Sequence, residues 1–186
     1  MTLPAFCLAV FSLLILPGPT NALLALASHS LTGGRLVSLL GAVLAAYLII
    51  IVPVSGIAGP FLLTHPAAAQ LARIVAAIWV LSLALKLWRT DPDSNGAYVG
   101  LTHLFITTLL NPKAIIIGLT MVPAVRAPFG LTVLCFAASV SLTSAFWILL
   151  GRIVTGRGQG MRQLASRCGS AVLVAFSITL AVSAVA

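Results

Sequence analysis

The stretch Leu109-Leu110-Asn111-Pro112-Lys113-Ala114 sets a helix-breaking proline and a single ammonium inside an otherwise uncharged run, since Lys113 is the only Asp, Glu, Lys or Arg between Asp93 and Arg126. Such a stretch would read as a surface loop in a water-soluble protein. This chain cannot be one: of its 186 residues 61% are hydrophobic and 6% charged, and its mean hydropathy is +1.20, which leaves too little polar surface to coat a globule. A bilayer span needs roughly 20 apolar residues as a helix, and a barrel would need strands of about 10 residues with alternating polarity. No such alternation is present, so the chain is expected to be an all-α integral membrane protein in contact with the lipid bilayer. A charge at bilayer depth costs about 3 kcal/mol on insertion scales, which makes Lys113 a functional candidate that faces protein or water.

Asn is a preferred N-cap and Pro is favoured at the first helical position. Asn111, Pro112 and Lys113 therefore read as a new helix start within the membrane, whose free amides and positive dipole end, together with the lysine charge, suit an anion such as an amino acid carboxylate. The structural alternative is a proline kink with a snorkelling lysine. Arg126 lies 13 residues on, about 20 Å at 1.5 Å per residue, so snorkelling is difficult and the functional reading is favoured.

A second break lies upstream. The run from Met1 to about Ser30 lacks Asp, Glu, Lys and Arg and is interrupted by Pro17-Gly18-Pro19-Thr20-Asn21. It has no basic n-region and no polar mature domain follows it, so it reads as a retained first segment and not as a signal peptide. Two prolines around a glycine cannot continue a regular helix, and Thr20 or Asn21 is expected to cap the second half-helix.

Further uncharged or weakly charged runs follow. They cover Leu36 to Thr64, with Pro53 late in the run and Pro60 and His65-Pro66 marking its end, then about Ala68 to Trp88. Asp91-Pro92-Asp93-Ser94-Asn95-Gly96 has turn chemistry and divides the chain. The fourth segment runs from about Ala97 to Val125 and is broken at Asn111-Pro112; the fifth runs from about Phe129 to Leu150. A basic link from Gly151 to Arg167 leads to a sixth from Cys168 to Ala186.

Six transmembrane helices in two sets of three, with the first helix of each set broken, match the sequence pointer to an inverted-repeat transporter, with repeat 1 at about 1–90 and repeat 2 at about 97–186 of a single domain. An odd number of crossings per repeat inverts the second copy, and in such folds the site lies near the midplane. Arg35, Lys86, Arg89, Arg152, Arg157, Arg162 and Arg167 fall in the odd links, against Arg126 and, at an edge, Arg73. That asymmetry places the odd links in the cytoplasm and both termini outside it.

Other features carry less. The formal charge of +8 is spread over short links, so the basic residues read as topology signals and not as a nucleic-acid surface. Cys7, Cys135 and Cys168 form no Cys-x-x-Cys pair, and no disulfide framework or thiolate metal site is indicated. Ser139, Ser141, Thr143 and Ser144 read as packing more than as a polar path, and His103 as a histidine bonded to a neighbour. Trp79 sits among aliphatics, whereas Trp88 is placed like an interfacial anchor. Gly156-Arg157-Gly158-Gln159-Gly160 follows no strand and lacks a Gly-Lys-Ser/Thr ending, so it is a flexible link and no phosphate loop. No membrane segment contains Asp or Glu, and no paired Ser/His or metal-ligand cluster supports an enzyme; no cofactor is called for.

The order Leu16-Pro17-Gly18-Pro19-Thr20-Asn21-Ala22-Leu23-Leu24, an apolar second and third segment ending Lys86-Leu87-Trp88-Arg89, and then Leu109-Leu110-Asn111-Pro112-Lys113-Ala114 resembles the lysine exporter and threonine efflux (LysE/RhtB) family. The resemblance runs from about Leu16 to Val125 and weakly beyond. It implies a six-helix bacterial inner-membrane secondary transporter that exports amino acids or related small metabolites, by proton exchange and as a homodimer, with Pro17, Gly18, Pro19, Asn21, Asn111, Pro112 and Lys113 as the motif positions. Members similar to this chain commonly carry an acidic residue in the second segment, where Ala46 and its neighbours stand here, and a Gly and an Asn before the second motif, where Leu104 and Thr108 stand. These departures motivate an alternative, a non-transporting membrane scaffold or partner subunit that keeps the exporter fold. No acidic residue is placed to hold a cationic side chain, which favours neutral substrates.

Overall fold

A computed structural model of the protein describes residues 1–28, 32–89, 100–156 and 158–185. The Asp91–Gly96 turn expected from the sequence lies outside the described residues, as does Arg157 of the basic link. Every regular element described is helical: α1 (Leu3–Ile15), α2 (Pro19–Ala27), α3 (Gly33–Pro53), α4 (Gly59–Thr64), α5 (Pro66–Arg89), α6 (Leu101–Leu109), α7 (Pro112–Ile116), α8 (Phe129–Thr155) and α9 (Gln159–Val185). Four stretches are long and apolar enough to cross a bilayer: Gly33–Gly56, Pro66–Arg89, Phe129–Thr155 and Gln159–Ala184. Two more spans result if each bent pair counts as one, α1 with α2 at 68° and α6 with Pro112–Met121 at 41°.

Both breaks fall where proline removes amide donors. Pro53 does not stop its helix. It lacks the N–H that would bond to the preceding turn, the Val54 amide shares the Ile50 and Ile51 carbonyls, and a π-helical stretch, Val54–Ala58, carries the chain into α4. His65 ends α4 and Pro66 starts α5. A second π-helical stretch, Ile117–Met121, extends α7, and the fourth apolar run loses its helix there and not at Val125.

The basic link is much shorter than expected. α8 continues to Thr155 and α9 begins at Gln159, so most of Gly151 to Arg167 is helix. Arginines tolerate helix ends at the bilayer edge because their long stems reach water, and their charge therefore does not mark where the helix stops. The turn itself is glycine chemistry: Gly156 caps α8 and Gly158 takes φ +109°, a left-handed conformation that side chains disfavour.

The core gathers Phe6, Val10 and Leu14 of α1, Leu23 and Leu24 of α2, Val43 and Ile51 of α3, and Phe136 and Val140 of α8. With lipid outside, hydrophobicity alone does not bind these helices together, and small residues and interhelical hydrogen bonds take over. The α5–α9 pair illustrates this. Ser166, Ser170 and Ser177 of α9 donate to the Leu87, Ala84 and Ala77 carbonyls of α5 at 3.2, 2.8 and 2.9 Å, and Arg73 of α5 reaches the Ser183 carbonyl. The partner numbers fall as the serine numbers rise, so the helices run antiparallel. α2 and α8 also approach closely, for a Cβ on Gly151 would run into the Ala25 backbone.

Candidate functional site

The two proline breaks, nearly a hundred residues apart in sequence, meet in the interior. Pro19 opens α2 with Gly18 as N-cap, and Pro112 opens α7 with Asn111 as N-cap. Lys113, 7% exposed, extends its ammonium to the Leu16 carbonyl at 2.6 Å. A Cβ on Gly18 would sit 3.3 Å from the same nitrogen, so the absence of a side chain at that position lets the lysine lie against the break. All seven motif residues therefore border one junction.

A helix that stops inside a membrane leaves carbonyls that water cannot satisfy. Here other segments supply the donors. Asn21 directs both hydrogens of its side-chain amide at α1, to the Leu14 carbonyl at 2.7 Å and the Leu16 carbonyl at 2.9 Å. The Trp147 indole of α8 donates to the Ile15 carbonyl at 3.2 Å, and Lys113 adds its bond to Leu16. A cation at a helix C-terminus also opposes the negative end of the helix dipole.

The hydroxyl network beside this can be directed by counting hydrogens. Asn111 uses its two side-chain hydrogens on the Thr20 hydroxyl at 3.0 Å and the Tyr47 hydroxyl at 3.3 Å. Thr108 donates its one hydrogen to the Leu104 carbonyl at 2.7 Å, so in the 3.3 Å contact between Thr20 and Thr108 the donor is Thr20. Asn111, Thr20 and Thr108 thus form a one-way chain that pins α6, α7 and α2 together, all three side chains being buried.

Two expectations are corrected. Neither Thr20 nor Asn21 caps α2; Gly18 does so without a side-chain bond, and both residues turn to other helices. The start of α7 does not present free amides. Pro112 has none, the Lys113 amide is taken by the Asn111 side chain at 3.1 Å, and the Ala114 amide by the Asn111 carbonyl at 3.0 Å. The open helix start is that of α2, where the Thr20 and Asn21 amides have no acceptor among the described residues. Lys113 likewise has one partner for its ammonium there, so two of its three hydrogens are available.

Four participants were not singled out from sequence as site residues: Thr20, Tyr47, Thr108 and Trp147. Thr108 and the neighbourhood of Ala46 were marked only as departures from the family pattern, and Trp147 gave no signal beyond being an aromatic in an apolar run. Thr143 lies one turn before Trp147 on α8, and its hydroxyl is buried without a partner among the described residues. Ser139 and Ser141 bond to their own helix. His103 accepts from Lys86 at 3.4 Å and stacks near Trp79, while the Trp79 indole donates to Thr107 at 2.9 Å. Trp88 is exposed beneath the Arg167 guanidinium.

The arrangement sets an ammonium beside a helix start whose first amides have no acceptor among the described residues. Among the described residues no three His, Cys, Asp or Glu side chains gather as metal ligands. No protein-family model, no curated protein and no solved structure matches the chain.

Proposed function

We propose that the protein is a secondary transporter that exports amino acids or related small metabolites across the bacterial inner membrane, resembling the LysE/RhtB exporters. The observation that carries the reading is the meeting of the two breaks, with the Lys113 ammonium against Gly18 at the open start of α2. A substrate carboxylate placed there accepts from the Thr20 and Asn21 amides and from the two available Lys113 hydrogens, and its charge lies at the positive end of α2. Each half of the chain begins with a broken helix followed by continuous ones, which supports two inverted repeats with the site between them. The arginine and lysine asymmetry supports odd links in the cytoplasm and both termini outside. Lys113 is also the group at this junction that can give up a proton, which makes it the candidate for coupling export to the proton gradient.

Counterflow of labelled amino acids into proteoliposomes tests this. Wild-type protein is expected to exchange at least one amino acid, and Lys113→Met to lose that exchange while remaining folded. Exchange by Lys113→Met at the wild-type rate removes the lysine from the site.

The rival reading, a scaffold or partner subunit without transport, is favoured by one observation: Lys113 already serves the structure by capping α1 at Leu16. Unchanged susceptibility to toxic amino acid analogues on deletion and on overexpression, together with a stable co-purifying partner, would establish it.

A further inference from the structure

A cavity of about 190 Å³ adjoins the junction, bounded by α2, α8 and α9. It starts at Pro17, within the first break, and at Trp147, whose indole is fixed to the Ile15 carbonyl. Along α8 it reaches Thr155, eight residues on, and along α9 it runs from Ala165 to Val172, a depth of about 10–12 Å at 1.5 Å per residue. Its far end lies toward the α8–α9 turn, where Arg152 and Arg162 are each three residues in sequence from the lining Thr155 and Ala165, so it extends from the break toward the basic face of the protein.

The lining is aliphatic and aromatic: Ala22 and Leu26 from α2, Leu150 and Val154 from α8, Val172 from α9. Its side chains that can donate a hydrogen bond are few, and two of them are already committed. The Trp147 N–H is held by Ile15, and the Thr155 hydroxyl donates to the Gly151 carbonyl at 2.8 Å. The Cys168 thiol remains, a weak donor and acceptor. A polar side chain entering this space would exchange water for an environment that offers it little besides a hydroxyl lone pair and a thiol, at a cost of about 1–3 kcal/mol per unpaired group. An apolar one meets no such penalty. An engineered apolar cavity of about 150 Å³ in another protein stays dry and takes up benzene, so the volume here suffices for a branched aliphatic or benzyl group.

We infer that this cavity receives the apolar side chain of the transported molecule, so that the substrates are amino acids with aliphatic or aromatic side chains, taken up from the basic face. The inference rests on the carboxylate reading of the junction. The carboxylate lies at α2 and Lys113, and the side chain points past Pro17 between α2, α8 and α9. Selectivity follows from the wall, which disfavours polar and cationic side chains by offering them few hydrogen bonds.

Cys168 supplies the probe, as an exposed free thiol on the cavity wall. In a Cys7→Ala, Cys135→Ala background reconstituted into liposomes, N-ethylmaleimide is expected to alkylate Cys168. Leucine or phenylalanine should slow the reaction at least fivefold, and serine or lysine less than twofold. Counterflow in the same liposomes should show the same order, and Ala165→Phe or Val154→Phe, which fill the space, should abolish protection by leucine. Failure of Cys168 to react without ligand, or equal protection and exchange by serine, lysine and leucine, overturns the inference and leaves the carboxylate reading standing. Undiminished leucine protection in Lys113→Met upholds the apolar cavity and overturns the carboxylate anchor. Alkylation that no amino acid slows, but that varies with the acyl chains of the liposome, makes the occupant a lipid and overturns the inference; absence of counterflow in that same preparation removes the transport reading as well.

Discussion

Asn21 is the residue whose removal most directly tests how the membrane break is held. Its side-chain amide is the only donor to the buried Leu14 carbonyl among the described residues and one of two to Leu16. In Asn21→Ala the Leu14 carbonyl is left without a partner, which costs about 1–3 kcal/mol for a buried acceptor, while Leu16 keeps Lys113 and forfeits one bond worth about 0.5–1.5 kcal/mol. The expected loss is therefore about 1.5–4.5 kcal/mol. Asn21→Leu restores the volume but not the donors, so it should lose about as much, which separates hydrogen bonding from packing. Reversible unfolding in mixed micelles of dodecyl maltoside and sodium dodecyl sulfate, followed by circular dichroism, gives the values. Both variants lying within about 0.5 kcal/mol of wild type, the range of ordinary surface substitutions, would show that the carbonyls of α1 do not depend on Asn21.

Three further outcomes follow from the packing. Gly151→Ala should destabilise by about 1–3 kcal/mol or more because its Cβ meets the Ala25 backbone, whereas Gly41→Ala, in open space on α3, should be neutral or stabilise by up to about 1 kcal/mol; the same unfolding assay checks the opposite signs. Thr20→Val and Thr108→Val should couple by about 0.5–1.5 kcal/mol in a double-mutant cycle, since they share one hydrogen bond. Trp79→Phe should cost about 1 kcal/mol through loss of the bond to Thr107, and additivity with Asn21→Ala would confirm that it acts outside the junction.

The helices were legible because the bilayer simplifies the code. Twenty apolar residues make a span, and proline at 17, 19 and 112 makes a break, since the missing N–H is a local covalent fact that no partner can restore. The cap at Asn111 was legible for the same reason, its acceptor reaching only two residues along the chain. Helix ends near arginines were not, because a long side chain lets a helix run past the charge. The link expected from Gly151 to Arg167 shrank accordingly to a few residues around Gly156 and Gly158.

The sequence alone determined that this is a chain of apolar helices, two of them interrupted, with a single charged residue in the second interruption. Only the tertiary structure decided that the interruptions meet, that α2 and not α7 offers the open helix start, and that Lys113 lies on the Leu16 carbonyl. It also brought Tyr47 and Trp147 into the junction and opened a cavity beside it. The reason is physical. Breaks and spans follow from bonds within a few residues, whereas the Tyr47 partner of Asn111, the Lys113 partner of Leu16 and the Trp147 partner of Ile15 lie 64, 97 and 132 positions away, and no local pattern records which distant side chains will be nearest once the helices pack.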